Sequence, residues 1–328
     1  MKTTLRQSAS AFACLCVVIA LNFFLPRLMP GDPVMMLTGL NEDVVESQAQ
    51  YDMYYEKLGL SKPMYMQFWQ YLKSLVGGDF GYSYHYNASV RDMIAERLPN
   101  TLLIAVPSVF FSSVLALVFA SLTGSRERMP VDSVITGFAI VLNAIPGFLL
   151  SLTLMFIFAY KLGWAPFSGL VSTIVPRGGT AEAMDRIKHM ILPVTVLTLS
   201  SMPGKFLVLR NQIAAAAKEK YVMYAKARGI SSARIQFVHV FRNVCQPFIT
   251  MIGLNVGFIL SGSVVVENIF SIKGMGQLMT KAITARDFPT MQGCLFVTSL
   301  AVIAADIVTR FICVLVDPKV RYGVYETE

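Results

Sequence analysis

Histidine, cysteine and clustered carboxylates are the side chains from which metal sites and nucleophiles are built, and this sequence uses them sparingly. Its three histidines, His85, His189 and His239, stand far apart, with no carboxylate beside them at metal-ligand spacing. The five cysteines (Cys14, Cys16, Cys245, Cys294 and Cys313) fall mostly inside apolar runs and lack the paired spacing of a disulfide framework or a zinc site. They read as buried thiols. No His-Glu-x-x-His pair and no serine nucleophile elbow is present. Gly204-Lys205-Phe206 is the nearest approach to a phosphate-cradling loop, and it lacks both the following Ser or Thr and the earlier glycine. The chain is therefore expected to have no catalytic residue, no metal site and no cofactor of its own.

The elements that carry these residues are set by apolar content. Of 328 residues 55% are hydrophobic and only 15% charged, which excludes a disordered or highly solvated chain. A net charge of +8 can signal nucleic acid, but here the charges flank long apolar runs. A hydrocarbon core of about 30 Å needs about 20 apolar helical residues. Six runs meet that length: Ala9 to Leu28, Thr101 to Thr123, Val134 to Tyr160, Met190 to Leu209, Pro247 to Val266 and Met291 to Val316. The reading is an all-α integral membrane protein of six spans. The first run resembles a signal peptide, but it is long and no small-residue cleavage site follows before Pro30, so it reads as a retained span. Basic residues set the orientation. With the amino terminus inside, inner segments hold thirteen Lys and Arg, and the short outer loops hold seven. Both termini are expected in the cytoplasm, with 1–29 as tail and first span, 30–98 as an extracytoplasmic cap, 99–317 as a five-helix core and 318–328 as a tail.

The cap exceeds any simple connection. It shows helix-like stretches at Asp43 to Lys57 and Met64 to Val76, broken by Gly59, Pro63 and the Gly77, Gly78, Gly81 cluster. The aromatics Tyr51, Tyr54, Tyr55, Tyr65, Phe68, Trp69, Tyr71, Tyr82, Tyr84 and Tyr86 suit interfacial anchoring or packing, and contact with a ligand or a docking protein stays open. The second departure from a plain bundle is 210–246, too polar to span. Its alanine-rich first part favours helix. Gly229 sits where a left-handed residue ends a helix, and Ser231 or Ser232 can cap the next one. A basic amphipathic surface lying on lipid and a protein-docking loop are both compatible with that composition.

The ordered motifs of the chain resemble those of permease subunits of ATP-binding-cassette (ABC) importers, in the dipeptide, oligopeptide and nickel group. Pro30-Gly31-Asp32-Pro33, Leu58-Gly-Leu60-Ser-Lys-Pro63, Gly78-Asp-Phe-Gly81-Tyr-Ser83 and Arg97-Leu-Pro-Asn-Thr101 come first. Leu162-Gly-Trp-Ala-Pro166, His189-Met-Ile-Leu-Pro193, Glu267-Asn-Ile-Phe270, Gly274-Met-Gly276, Arg286-Asp287-Phe-Pro289 and Asp317-Pro318 come after them. In the group's cytoplasmic signature, Met223 and Tyr224 stand at the Glu and first Ala positions, while Ala225 and Gly229 fit. The resemblance implies a type I importer permease fold and a non-catalytic subunit. It also implies a second homologous permease, two ATPase subunits that bind ATP and Mg, and an extracytoplasmic substrate-binding protein, all at a bacterial inner membrane. It assigns ATPase coupling to Tyr224, Ala225, Lys226, Arg228, Gly229, Ile230, Ser231, Arg234 and Ile235. The substrate stays open among di- and oligopeptides, nickel or metal chelates, and other small solutes.

Polar groups inside spans are costly and mark a pathway or a packing contact. The pathway candidates are Asn143, Ser200, Ser201, Asn255, Ser261 and Ser263. Gly253, Gly257, Ser261 and Gly262 suit close helix approach, Asp306 and Arg310 a helical ion pair, and Lys205 a snorkelling cation. Pro146 and Pro203 can kink their helices. A stand-alone secondary transporter or channel is the rival reading, and the internal repeats or intramembrane ionisable clusters that favour it are not evident.

Overall fold

The computed structural model describes residues 2–28, 32, 34, 48–57, 59–124, 129–172, 174–175 and 178–316, with the side chains at 2–10, 25–26, 233, 237, 258 and 260–262 outside that description. The regular secondary structure of the described residues is helical apart from one short hairpin. It begins with α1 (Lys2–Leu28), α2 (Gln48–Lys57) and α3 (Met64–Val76), then strands β1 (Tyr82–Ser83) and β2 (Ala88–Ser89). Next come α4 (Val90–Thr123), α5 (Pro130–Ala144), α6 (Gly147–Leu154, continued by a π-helical segment to Lys161) and α7 (Thr180–Ala216). The chain ends with α8 (Lys220–Ala227), α9 (Ser232–Arg234, continued by a π-helical segment Ile235–Val240), α10 (Phe241–Ile269), α11 (Met275–Thr284) and α12 (Phe288–Val316).

Among the described residues, α4, α7 and α12 are long and apolar enough to cross a membrane. The third apolar run is not one rod. α5 and the α6 segment meet at 101° and would together make a fourth span. Ile145 and Pro146 are both extended there, with ψ of 121° and 138°, because a proline disfavours helical geometry in the residue before it. The kink expected at Pro146 is thus a full break, whereas Pro203 stays inside continuous α7. α1 carries a shorter apolar stretch, Ala11–Phe24, and the fifth run lies in α10, with Pro247 inside the helix. The helix expected from Asp43 begins at Gln48, residues 43–47 lying outside the described set, and α3 matches its expected bounds. The Pro-Gly-Asp-Pro motif is described only at Asp32. Leu58, Arg126, Arg128, Arg177 and the tail from Asp317 also lie outside the description.

Two compact units divide the chain. The first is built on 102–272 and on the chain from 304. In it α7 packs against α5, α6 and α10, and α6 against α10. Its core joins Ala116, Ala120, Leu142, Met202, Phe206 and Leu209 to Val222, Ala225, Ile235 and Val244 from the polar segment. Gly253 of α10 lies so close to Thr309 of α12 that a Cβ would collide with it, a contact that fits the packing role expected of this glycine. Asp306 and Arg310 form the expected i, i+4 ion pair at 2.7 Å.

The second unit is built on 2–101 and 273–303. Val90, Ile94, Met275, Leu278 and Cys294 form its core. Several of the sequence motifs meet here, which explains why they occur together. Asn100 Nδ2 donates to the Lys273 carbonyl at 2.8 Å, and Thr101 Oγ1 accepts from the Met275 amide at 2.8 Å. Buried Asp287 accepts hydrogen bonds from Ser83 Oγ (2.5 Å), Thr290 Oγ1 (2.7 Å) and the Thr290 amide (3.3 Å), so it caps α12 and ties the hairpin to it. Arg286 beside it takes a left-handed φ of 56°. Asp32 accepts from the Val34 amide (2.8 Å) and from Tyr51 Oη (2.7 Å). The hairpin was not expected from the sequence. It turns at Asn87, with φ of 50°, a conformation that asparagine tolerates. Cys294 and Cys313 are buried as read, but Cys14 and Cys16 are exposed and Cys245 is half-buried.

Candidate functional site

The polar segment is assembled from three helices. Its alanine-rich start, 210–216, is the last part of α7, which ends at Ala216. A turn through 217–219 restarts the chain as α8, only eight residues long. α8 closes as expected on Gly229, whose φ is 74°. The Gly229 amide donates to the Lys226 carbonyl (2.9 Å) and the Ile230 amide to the Ala225 carbonyl (3.2 Å), the paired bonds of a Schellman motif. Nothing lies within 4 Å of a Cβ built at Gly229, so glycine serves the backbone angle there and not a tight fit. Ser231 occupies the next N-cap position, but its hydroxyl makes no capping bond. The helix after it is not a separate short one, because α9 and its π-helical continuation lead straight into α10.

α8 is two-faced. Val222 and Ala225, three apart, are buried in the core of their own unit, as is Ile235 beyond the turn. Tyr224, Lys226, Arg228, Gly229, Ser231 and Arg234 are exposed, and Ile230 is half-buried. Of the coupling candidates, Ala225 and Ile235 therefore hold the surface from beneath, and the others form it. Met223 and Tyr224 stand out as large apolar side chains more than 60% exposed. Phe237 lies outside the described side chains. Two further contacts anchor the segment, and sequence reading missed both. Arg210 grips buried Asp132 of α5 through two bonds, Nε to Oδ1 at 3.0 Å and Nη2 to Oδ2 at 2.5 Å. Gln236 Nε2 donates to the Ser121 carbonyl of α4.

The pathway candidates converge in part. Asn143, Ser200, Ser201 and Asn255 line one cavity of about 340 Å³ with Leu197, Gly204 and Ile259. α5, α7 and α10 bring them there from residues more than a hundred positions apart in sequence. Ser201 Oγ and Asn255 Oδ1 are buried atoms with no hydrogen-bond partner. The cavity thus offers neutral hydroxyl and amide groups in an otherwise apolar wall, a surface suited to orienting a polar solute without trapping it. Ser263 is fully buried and not part of the cavity lining, and the Ser261 side chain lies outside the description. Lys205 does not snorkel. It is fully buried, and its ammonium donates to Ser112 Oγ (2.6 Å) and Ser113 Oγ (3.3 Å) of α4. Among the described residues no group of three or more His, Cys, Asp or Glu is placed to hold a metal ion.

Long apolar helices with a short anchored helix exposed beside them define a multi-span helical membrane protein, and a solved structure shares the fold. A structure of the MetNI methionine ABC transporter matches with a TM-score of 0.53, at 13% identity, over 69% of this chain and 96% of that one. The chain belongs to the family of binding-protein-dependent transport system inner membrane components, whose description matches residues 112–322, while the description of the family's N-terminal part matches 1–105. It is thus a multi-pass inner-membrane permease of the ABC importer type. The oligopeptide transport system permease protein AppB of Bacillus subtilis is 31% identical over 97% of this chain and 98% of its own length. The di/tripeptide permease DppB of Pseudomonas aeruginosa is 31% identical over 93% and 94%, and the glutathione permease GsiC of Escherichia coli 31% over 94% and 95%.

Proposed function

We propose that this chain is one half of the membrane pathway of an importer for di- and oligopeptides, with six spans, a cap at 30–98 outside and both termini in the cytoplasm. It pairs with a second, related permease and receives its solute from an extracytoplasmic binding protein. ATP and Mg are held by two ATPase subunits that dock on α8. The names of the relatives support peptides over nickel. The observation that carries the mechanism is the two-faced α8. Its exposed face presents Tyr224 and Lys226, and Arg228, Ser231 and Arg234 follow just beyond its end, while Val222 and Ala225 on its buried face belong to the same core as Met202, Phe206 and Leu209 of α7. Packed interiors transmit displacement because they are dense. A push on the exposed face therefore reaches the helices around the cavity as rigid bodies, and the basic side chains orient the docking partner. The cavity of Asn143, Ser200, Ser201 and Asn255 is the stretch of pathway this subunit contributes.

The test is reconstitution of the full complex with Gly229→Val and Gly229→Asn. Valine is disfavoured at φ of 74°, and asparagine is tolerated. Valine is expected to abolish ATP-driven peptide uptake and loosen retention of the ATPase on the purified permease, and asparagine to restore most of both. Vesicles that accumulate peptide with this polypeptide alone would overturn the reading in favour of a stand-alone transporter.

A further inference from the structure

A second cavity lies within the unit of 2–101 and 273–303, with a volume of about 220 Å³. Arg27 from the end of α1, Tyr71 of α3, Asp79, Tyr82 and Tyr84 from the segment after it, and Gln292 of α12 all line it. Opposite charges thus face one space, yet Arg27 and Asp79 form no ion pair with each other.

The charged groups are held in place by other bonds. Arg27 Nη1 donates to the Phe23 carbonyl (2.9 Å), and Nε and Nη2 share Gln67 Oε1 at 3.3 and 3.2 Å. Its guanidinium also lies 3.8 Å from the centre of the Phe23 ring. A guanidinium has five N–H groups, so two stay available in a fixed fork. Asp79 uses Oδ1 to accept from the Gly81 amide at 2.9 Å, which leaves Oδ2 to accept another donor. In the same lining, the Tyr71 hydroxyl is buried without a hydrogen-bond partner. Such a group is expensive unless something enters to meet it. The rings of Tyr82 and Tyr84 lie edge to face at 5.3 Å, and Lys57 Nζ stands 5.7 Å over Tyr84, which leaves the Tyr82 ring as the aromatic surface without a cation contact.

We propose that this cavity binds a small zwitterion, its oxyanion taken by Arg27 and the Tyr71 hydroxyl and its primary ammonium by Asp79 against the Tyr82 ring. A ligand with both signs satisfies both charges and the orphaned hydroxyl at once, whereas a simple anion or cation leaves one wall uncompensated. Two sources share this chemistry. One is the free termini of an amino acid or short peptide. The other is a phosphoethanolamine headgroup, since Arg27 follows the apolar stretch Ala11–Phe24 by three residues, where a headgroup sits.

The full-length chain in phosphatidylglycerol nanodiscs separates the two sources. Calorimetry with dialanine is run beside N-acetyl-dialanine, and native mass spectrometry compares retention of phosphatidylethanolamine with that of phosphatidylcholine. A saturable preference for the primary amine in the first arm assigns the peptide source, and in the second the lipid. In whichever arm binds, Asp79→Asn is expected to weaken it about tenfold, the scale of one lost charge-assisted hydrogen bond, and Tyr71→Phe by a smaller factor. Asp79 is exposed, so its variant folds, as an unchanged melting temperature confirms, while Tyr71→Phe removes a buried unpaired hydroxyl and keeps or raises the melting temperature. No preference for the primary amine in either arm, or binding indifferent to both variants, overturns the proposal. Neither ATP nor a partner subunit enters the measurement, so a negative result leaves the transport reading standing.

Discussion

Asp287 shows how a single carboxylate holds one unit together. It sits at the N-cap of α12, fully buried, and serves Ser83 and Thr290 at once. Asp287→Ala strips a cap and leaves the Ser83 hydroxyl without its acceptor, so a loss of about 2–3 kcal/mol is expected. Asp287→Asn keeps an acceptor oxygen and should recover part of it, as read from thermal unfolding of the detergent-solubilised chain. Tyr71 makes a second prediction at this scale. Burial pushes its phenol up to about 12, against an ordinary value near 10. The folded state then holds its proton while the unfolded state has lost it, so stability is level below about pH 10 and falls as pH rises from there toward 12. Tyr71→Phe is expected to flatten that alkaline slope in a series of melting curves.

At the scale of elements, the clamp between α5 and α7 decides how firmly α8 is seated. Asp132 is 4% exposed, and Arg210 grips it with two bonds six residues before α7 ends. Removing one partner of such a pair strands a buried charge, so Asp132→Ala or Arg210→Met alone is expected to cost about 3–5 kcal/mol. The double variant leaves no stranded charge and should cost clearly less than the sum, which a double-mutant cycle on unfolding midpoints measures. Uptake tests the same contact functionally. If the clamp carries displacement from α8 to the cavity-lining helices, the double variant retains ATPase docking but transports less per ATP.

For the whole molecule, the decisive question is on which side of the membrane the 210–246 segment and the cap lie. On the proposed topology, read from the charge tally of the loops, 210–246 lies inside and the cap outside. His85 and Lys226 are both exposed and suit labelling. In a cysteine-free background and intact cells, a membrane-impermeant maleimide is expected to label His85→Cys and to spare Lys226→Cys until the cells are opened. The reverse pattern would put α8 on the wrong leaflet for any ATPase and sink the coupling role.

Composition and periodicity were enough to read a helical membrane protein, because long apolar runs have few alternatives in lipid. The glycine turn at 229 was equally legible, since only a residue at ease with positive φ ends a helix that way. The convergence of Asn143, Ser200, Ser201 and Asn255 on one cavity was half legible. Their polarity flagged each of them, but only the packing of α5, α7 and α10 brings them together. Contacts between distant residues leave no local trace, and there the tertiary structure alone decides. Lys205 looks like an interfacial cation in sequence and proves to be buried on two serines about ninety residues away. The partners of Arg210 and Asp287 were hidden for the same reason. Hydrophobic pattern is a property of neighbours along the chain, whereas the pairing of buried charges depends on which helix faces meet, and that choice is made only when the whole chain packs.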